Sequence, residues 1–160
     1  MKGEIILKKL KIVINSIEPV GGSDSGIWGN ICIKNGQSYF PFADWSDIIS
    51  SILCLWLDAI KRFISTNFKE KCELFFMDGP YEMEFIPRDN LITALFCEGN
   101  CVLMQEESID FDDFVKQLIN ISHRFLNEFQ KFSSNRALKE VRVKLDILEK
   151  YLAITGFAPT

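Results

Sequence analysis

The spacing of apolar and polar positions changes several times along this chain, and each change marks an element. From Glu4 to Asn15, Ile5, Leu7, Lys9, Lys11 and Val13 alternate with Ile6, Lys8, Leu10, Ile12 and Ile14. This β-branched run predicts a strand with one face more buried than the other. Ser16 to Gly26 carries Pro19, Gly21, Gly22, Ser23, Asp24, Ser25 and Gly26 and reads as a loop. Ile27 to Lys34 and Gln37 to Phe42 then form a hairpin through Asn35-Gly36, a dipeptide suited to a turn that needs positive φ twice. Between Ile48 and Ile64 the apolar residues, Trp56 among them, cover more than one stripe, which implies a helix enclosed on several sides. Asp44 or Ser46 is placed to cap it, with Asp47 in its first turn.

Beyond Asn67 a period of two returns. Cys72 to Met77, Tyr81 to Ile86, Leu91 to Glu98 and Cys101 to Glu106 read as strands joined by turns, including Asp78-Gly79-Pro80 and Gly99-Asn100. Tyr81, Met83 and Phe85 share one face, Glu82 and Glu84 the other. Ser108 or Asp110 caps a second helix with Phe111, Phe114, Val115, Leu118, Ile121, Phe125, Phe129 and Phe132 at spacings of three and four. A third helix is predicted from about Asn135 to Ile154, with Leu138, Val141, Leu145, Leu148 and Leu152 on one stripe and Gly156 past its end. The reading is an α+β domain spanning residues 1–160. About six to seven strands form an antiparallel sheet packed with three helices, in the order βββ-α-ββββ-α-α.

The composition fits that reading. At 160 residues, 48% hydrophobic and 25% charged, with 9 Gly and 5 Pro, the chain can bury a sizeable core without disulfides or metal. Lys2, Glu4, Lys8 and Lys9 interrupt the first ten residues, so no signal peptide is read there. The most apolar stretch, Ile48 to Ile60, is shorter than a bilayer span. A cytoplasmic protein is expected, with reduced thiols at Cys32, Cys54, Cys72, Cys97 and Cys101. The Gly99-Asn100 turn between Cys97 and Cys101 leaves a strained disulfide or a half-built metal site as alternatives to free thiols.

Catalytic signals are sparse. His123 is the single histidine and sits inside the second predicted helix, one position off the Phe stripe, as a surface or boundary residue. No G-x-S-x-G, P-loop, dinucleotide-binding, H-E-x-x-H or EF-hand pattern occurs. Neither a metal nor a cofactor is expected.

Charge layout is more informative. Residues 1 to 70 carry 8 basic and 7 acidic side chains, residues 71 to 113 carry 2 and 11, and residues 114 to 160 carry 8 and 4. The net charge of −4 therefore conceals a centre of −9. A meander of neighbouring strands is expected to gather these carboxylates. Asp78, Glu82, Glu84, Asp89, Glu98, Glu106, Glu107, Asp110, Asp112 and Asp113 are the candidate binding face for a basic partner. The same residues also suit a solvated face that keeps sheet edges from pairing. On the third helix Arg136, Lys139, Arg142, Lys144 and Lys150 interleave with Glu140, Asp146 and Glu149, the pattern of a solvated helix rather than a nucleic-acid surface.

Ile27-Trp28-Gly29-Asn30-Ile31, Asn35-Gly36, Tyr39-Phe40-Pro41, Trp45-Ser46-Asp47, Trp56-Leu57 and Phe76-Met77-Asp78-Gly79-Pro80-Tyr81 follow one another over about a third of the chain. In this layout the chain resembles small immunity proteins of bacterial polymorphic toxin systems, including those of contact-dependent growth inhibition. The resemblance implies a non-enzymatic inhibitor; a monomer or weak dimer is expected. It would bind the toxic domain of a large secreted protein, often a nuclease with a basic cleft, and block its active site without touching nucleic acid or membrane. Asp47 carries over as a helix-start residue, and Trp45 and Trp56 as core. The alternative is a small enzyme or ligand-binding domain with a pocket between sheet and helix, lined by Trp28, Tyr39 and Trp45.

Overall fold

A computed structural model describes residues 3–19, 26–132 and 135–157. The chain runs β1 (Lys11–Pro19), β2 (Ile27–Asn35), β3 (Ser38–Phe40), β4 (Ser46–Ile48), α1 (Ile49–Ser65), β5 (Cys72–Phe75), β6 (Tyr81–Arg88), β7 (Leu91–Glu98), β8 (Cys101–Glu106), α2 (Phe111–Glu128) and α3 (Arg136–Thr155), with a short 3-10 turn at Gln130–Phe132. The class is α+β, as the order of elements implies. The strands, however, form two antiparallel four-stranded sheets rather than one. In the first, β2 pairs with β1 on one side and with β3 and β4 along the other; the second is the meander β5-β6-β7-β8.

Three local expectations are corrected. The first strand begins at Lys11, not Glu4, and runs past Asn15 to Pro19 through an irregularity between Asn15 and Glu18. Only residues 16–19 and Gly26 of the predicted loop are described, the rest lying outside the described residues. Neither Asp44 nor Ser46 caps α1: its N-cap is Ile48, with no side-chain cap. Asp47 lies in β4 opposite Gly29, because pairing with β2 holds residues 46–48 extended until the helix starts. The Asp110 cap and the Gly156 end follow expectation, and Asn135, expected only as the approximate start of the third helix, is its N-cap. Asp110 accepts from the Asp113 amide, Asn135 from those of Ala137 and Leu138, and Gly156 closes α3 with φ 70.

Helix α1 is the spine. Its Ile49, Ile52, Leu53, Trp56, Leu57 and Ile60 are fully buried, against β2, β5, α2 and α3. An aromatic chain links the layers. Phe40 of β3 meets Phe76, Tyr81 and Phe96 at centroid distances of 5.7, 5.9 and 5.2 Å, and Trp56 lies 5.4 Å from Phe76. Phe85 in turn contacts Phe111 and Phe114 of α2 at 5.4 and 5.0 Å. Such edge-to-face pairs contribute about 0.5–1.5 kcal/mol each beyond their buried area. Gln117 of α2 accepts from the Ile12 amide and donates to the Leu10 carbonyl, fastening the start of β1 to the helix. His123, exposed as expected, has Nε2 2.8 Å from Glu149 Oε1 across α2 and α3.

Candidate protein-docking face

The meander has an inner and an outer face. Cys72, Leu74, Met83, Phe85, Ala94 and Phe96 point inward and are buried in the core. Alternation sends their neighbours outward. Registers across the four strands then define two outer rows, Phe75-Glu82-Cys97-Val102 and Glu73-Glu84-Leu95-Gln105. Helices α1 and α2 supply the inner partners. Phe75 and Val102, 46% and 54% exposed, stand at the two ends of the first outer row, on β5 and β8, and Leu103 beside Val102 is 55% exposed. Leu103 is the extra residue of a bulge in β8.

A charge cluster occupies the same face. Glu73, Glu82 and Glu84 each place a carboxylate oxygen within 4.8 Å of the other two. Glu73 and Glu84 lie directly opposite one another, a destabilising arrangement for like charges. Lys71 offsets it, with Nζ 2.7 Å from Glu73 and 2.8 Å from the buried Glu84. Those two hydrogen bonds hold the Lys71 ammonium well above its ordinary range. Glu82 has no cation within ion-pair distance among the described residues, and burial beside Glu84 and Glu73 pushes its carboxyl up. Burial, with Glu84 and Glu82 beside it, likewise raises the Cys97 thiol. Cys97 and Cys101 are free thiols: Cys97 pairs across the hairpin with Val102 and Cys101 with Glu98, on opposite faces.

The ten predicted carboxylates are thus divided among separate places. Glu82 and Glu84 lie on the outer face, and Glu107 joins them through Gln105, whose Nε2 donates to it at 3.4 Å. Asp78 and Glu98 sit at one end of the meander, where the Gly99 amide donates to the Pro80 carbonyl at 2.7 Å. Asp89, Asp110 and Asp112 line a cleft of about 800 Å³ at the opposite end, beside Lys69 and Arg88. Burial, then Asp110, raises the Asp112 carboxyl. Glu106 and Asp113 are turned to structural work. Glu106 binds Lys8 at 2.6 Å and accepts from buried Asn35 at 2.8 Å, while Asp113 pairs with Lys9 and accepts from Gln117. Excluding these pairs and the cap Asp110, the residues left without a cation among the described ones are Asp78, Glu82, Asp89, Glu98, Glu107 and Asp112.

Sequence reasoning leaves Lys71, Glu73, Phe75, Leu95, Val102 and Leu103 out of the face. The signal is present in the alternation of Cys72 to Phe75, once that strand is registered against Tyr81 to Phe85. The three aromatics expected to line a pocket are dispersed. Trp28 lies opposite Ile48 in the first sheet, Tyr39 is exposed beneath Lys34, and Trp45 packs on Tyr81 at 5.1 Å. Three clefts among the described residues, of about 370, 470 and 800 Å³, are lined by other residues.

No described helix is long and apolar enough to cross a membrane. The protein is of the α+β class, with two antiparallel sheets whose second member leaves one face uncovered by helices. Comparison with protein-family models, with curated proteins and with solved structures returns no match.

Proposed function

We propose that this chain is a non-enzymatic immunity protein that neutralises the toxic domain of a secreted bacterial protein by binding over its active site. The outer face of β5-β6-β7-β8 carries the reading: it sets exposed Phe75 and Val102, with Leu103 at the adjoining bulge, among Glu82 and Glu107, which have no cation within ion-pair distance among the described residues. Apolar side chains supply the contact that persists, and carboxylates without internal cations draw a basic surface towards it. Asp78 and Glu98 extend the negative rim at one end. A nuclease domain, whose substrate cleft must be basic to hold phosphates, is the partner class that matches. The resemblance of the Trp45-Ser46-Asp47 and Asp78-Gly79-Pro80-Tyr81 layout to immunity proteins supports the same reading.

Co-expression tests it directly. The toxic domain of the proposed partner should arrest growth alone and be tolerated with this chain. The charge reversals Glu82→Lys and Glu107→Lys, made together, should remove protection while the chain stays folded. Protection unchanged by that double reversal would remove this face from the reading, and protection absent with the native chain would overturn the assignment.

A further inference from the structure

The outward side of α3 carries a second unpartnered surface. Leu138, Val141, Leu145, Leu148 and Leu152 face the core. On the opposite side Arg136, Glu140, Val143, Ile147, Lys150 and Ile154 follow at spacings of four, three, four, three and four. That is the a/d repeat of a coiled-coil seam, about 27 Å long at the helical rise. Val143, Ile147 and Ile154 are 55%, 44% and 85% exposed. A helix serving one core has no internal need for this second stripe.

The seam matches itself when reversed. Turned antiparallel about the level of Leu145, Val143 meets Ile147 of a second copy, Glu140 meets Lys150, and Arg136 meets Ile154. Each contact occurs twice, as an isologous two-fold interface requires. Antiparallel coiled coils pair a with d positions, and every layer here obeys that rule. A parallel pairing would instead set Glu140 on Glu140 and Lys150 on Lys150, so charge selects the antiparallel orientation. Arg136 already holds Glu140 at 3.1 Å along its own helix. Its aliphatic stem remains available to cover Ile154 of the second copy.

We infer that the chain self-associates into an antiparallel dimer through α3, using the Val143-Ile147 layers as its apolar centre and the Glu140-Lys150 layers to set register. This surface lies on a different element from the proposed docking face, so either function can stand without the other.

Sedimentation of the full chain over rising concentration tests the inference, with circular dichroism to confirm that each variant is folded. Native protein should show a monomer-dimer equilibrium that Ile147→Glu abolishes. Glu140→Lys alone and Lys150→Glu alone should each weaken association at least about tenfold, as an attractive pair becomes a repulsive one. The two reversals combined should restore it. A chain that stays monomeric at every concentration, a dimer indifferent to Ile147→Glu, or a combined reversal that fails to restore association would each overturn the proposal.

Discussion

Asp47 Oδ2 accepts a hydrogen bond from the Met77 amide at 2.9 Å, joining the last strand of the first sheet to the turn between β5 and β6 of the second. The carboxylate is fully buried. It also accepts from the Asp78 amide at 3.2 Å, the Trp45 indole at 3.0 Å and the Ile48 amide at 2.7 Å. Four donors would be left without their acceptor if it were removed. Asp47→Ala should therefore cost about 3 kcal/mol or more, from the penalty for each buried group left unpaired. Urea unfolding followed by far-UV circular dichroism measures it. Trp45→Phe, which removes one donor, should cost less, and equal losses would contradict the arrangement.

Gly79 occupies the same junction at φ 94, and a Cβ there would approach the Trp45 ring at 3.1 Å and the Tyr81 ring at 3.3 Å. A side chain meets two obstacles, the left-handed backbone and the packed rings. Gly79→Ala should destabilise by about 1–2 kcal/mol, more than the same change at Gly36, where φ is +60 and nothing lies within 4 Å. Thermal unfolding of the two variants side by side isolates the contribution of the rings.

These two residues show which parts of the fold are legible in the sequence. The alternation of Tyr81 to Phe85, the Asn35-Gly36 hairpin, the cap at Asp110 and the start of α3 near Asn135 are local signals, and the described structure follows them. Asp47 reads locally as a helix-start residue, but its role depends on Met77 and Asp78, about thirty residues away, and no local pattern reports that distance. The acidic centre is legible as composition but not as surface. Lys8, Lys9 and Lys71 come from elsewhere in the sequence or from its edge, and only the tertiary fold shows them taking Glu106, Asp113 and Glu84 out of the free set. The separation of the meander from the first sheet likewise depends on long-range pairing.

Glu106 provides a pH test. Burial works to raise its carboxyl, but hydrogen bonds from Lys8 and Asn35 and the Lys8 charge outweigh it and bring it below the ordinary 4.5. A carboxyl depressed in the folded state contributes stability that is present above its unfolded value and is lost as pH falls through the folded one. Glu106→Gln should thus be less stable than the native chain at neutral pH. The difference should shrink below about pH 4.5, as the native carboxylate protonates. Denaturation midpoints for both proteins across the acid range measure it, and a gap that widens on acidification would contradict the pairing.

On the proposed docking face, charge and apolar packing should separate in kinetics. Under that proposal Glu82 and Glu107 would act over distance, before the surfaces meet, since among the described residues neither has a cation within ion-pair distance. Reversing them should lower the association rate and flatten its dependence on salt, because long-range attraction is screened within about 10 Å at moderate ionic strength. Phe75 and Val102 would act only once the surfaces have met and their exposed side chains leave water. Phe75→Ala and Val102→Ala should leave association nearly unchanged and speed dissociation, by about tenfold for every 1.4 kcal/mol by which the truncation weakens binding. Surface plasmon resonance against the proposed toxic-domain partner at several salt concentrations reads both effects. The opposite assignment, with carboxylates governing dissociation and apolar side chains governing encounter, would mean that the partner binds elsewhere on the chain.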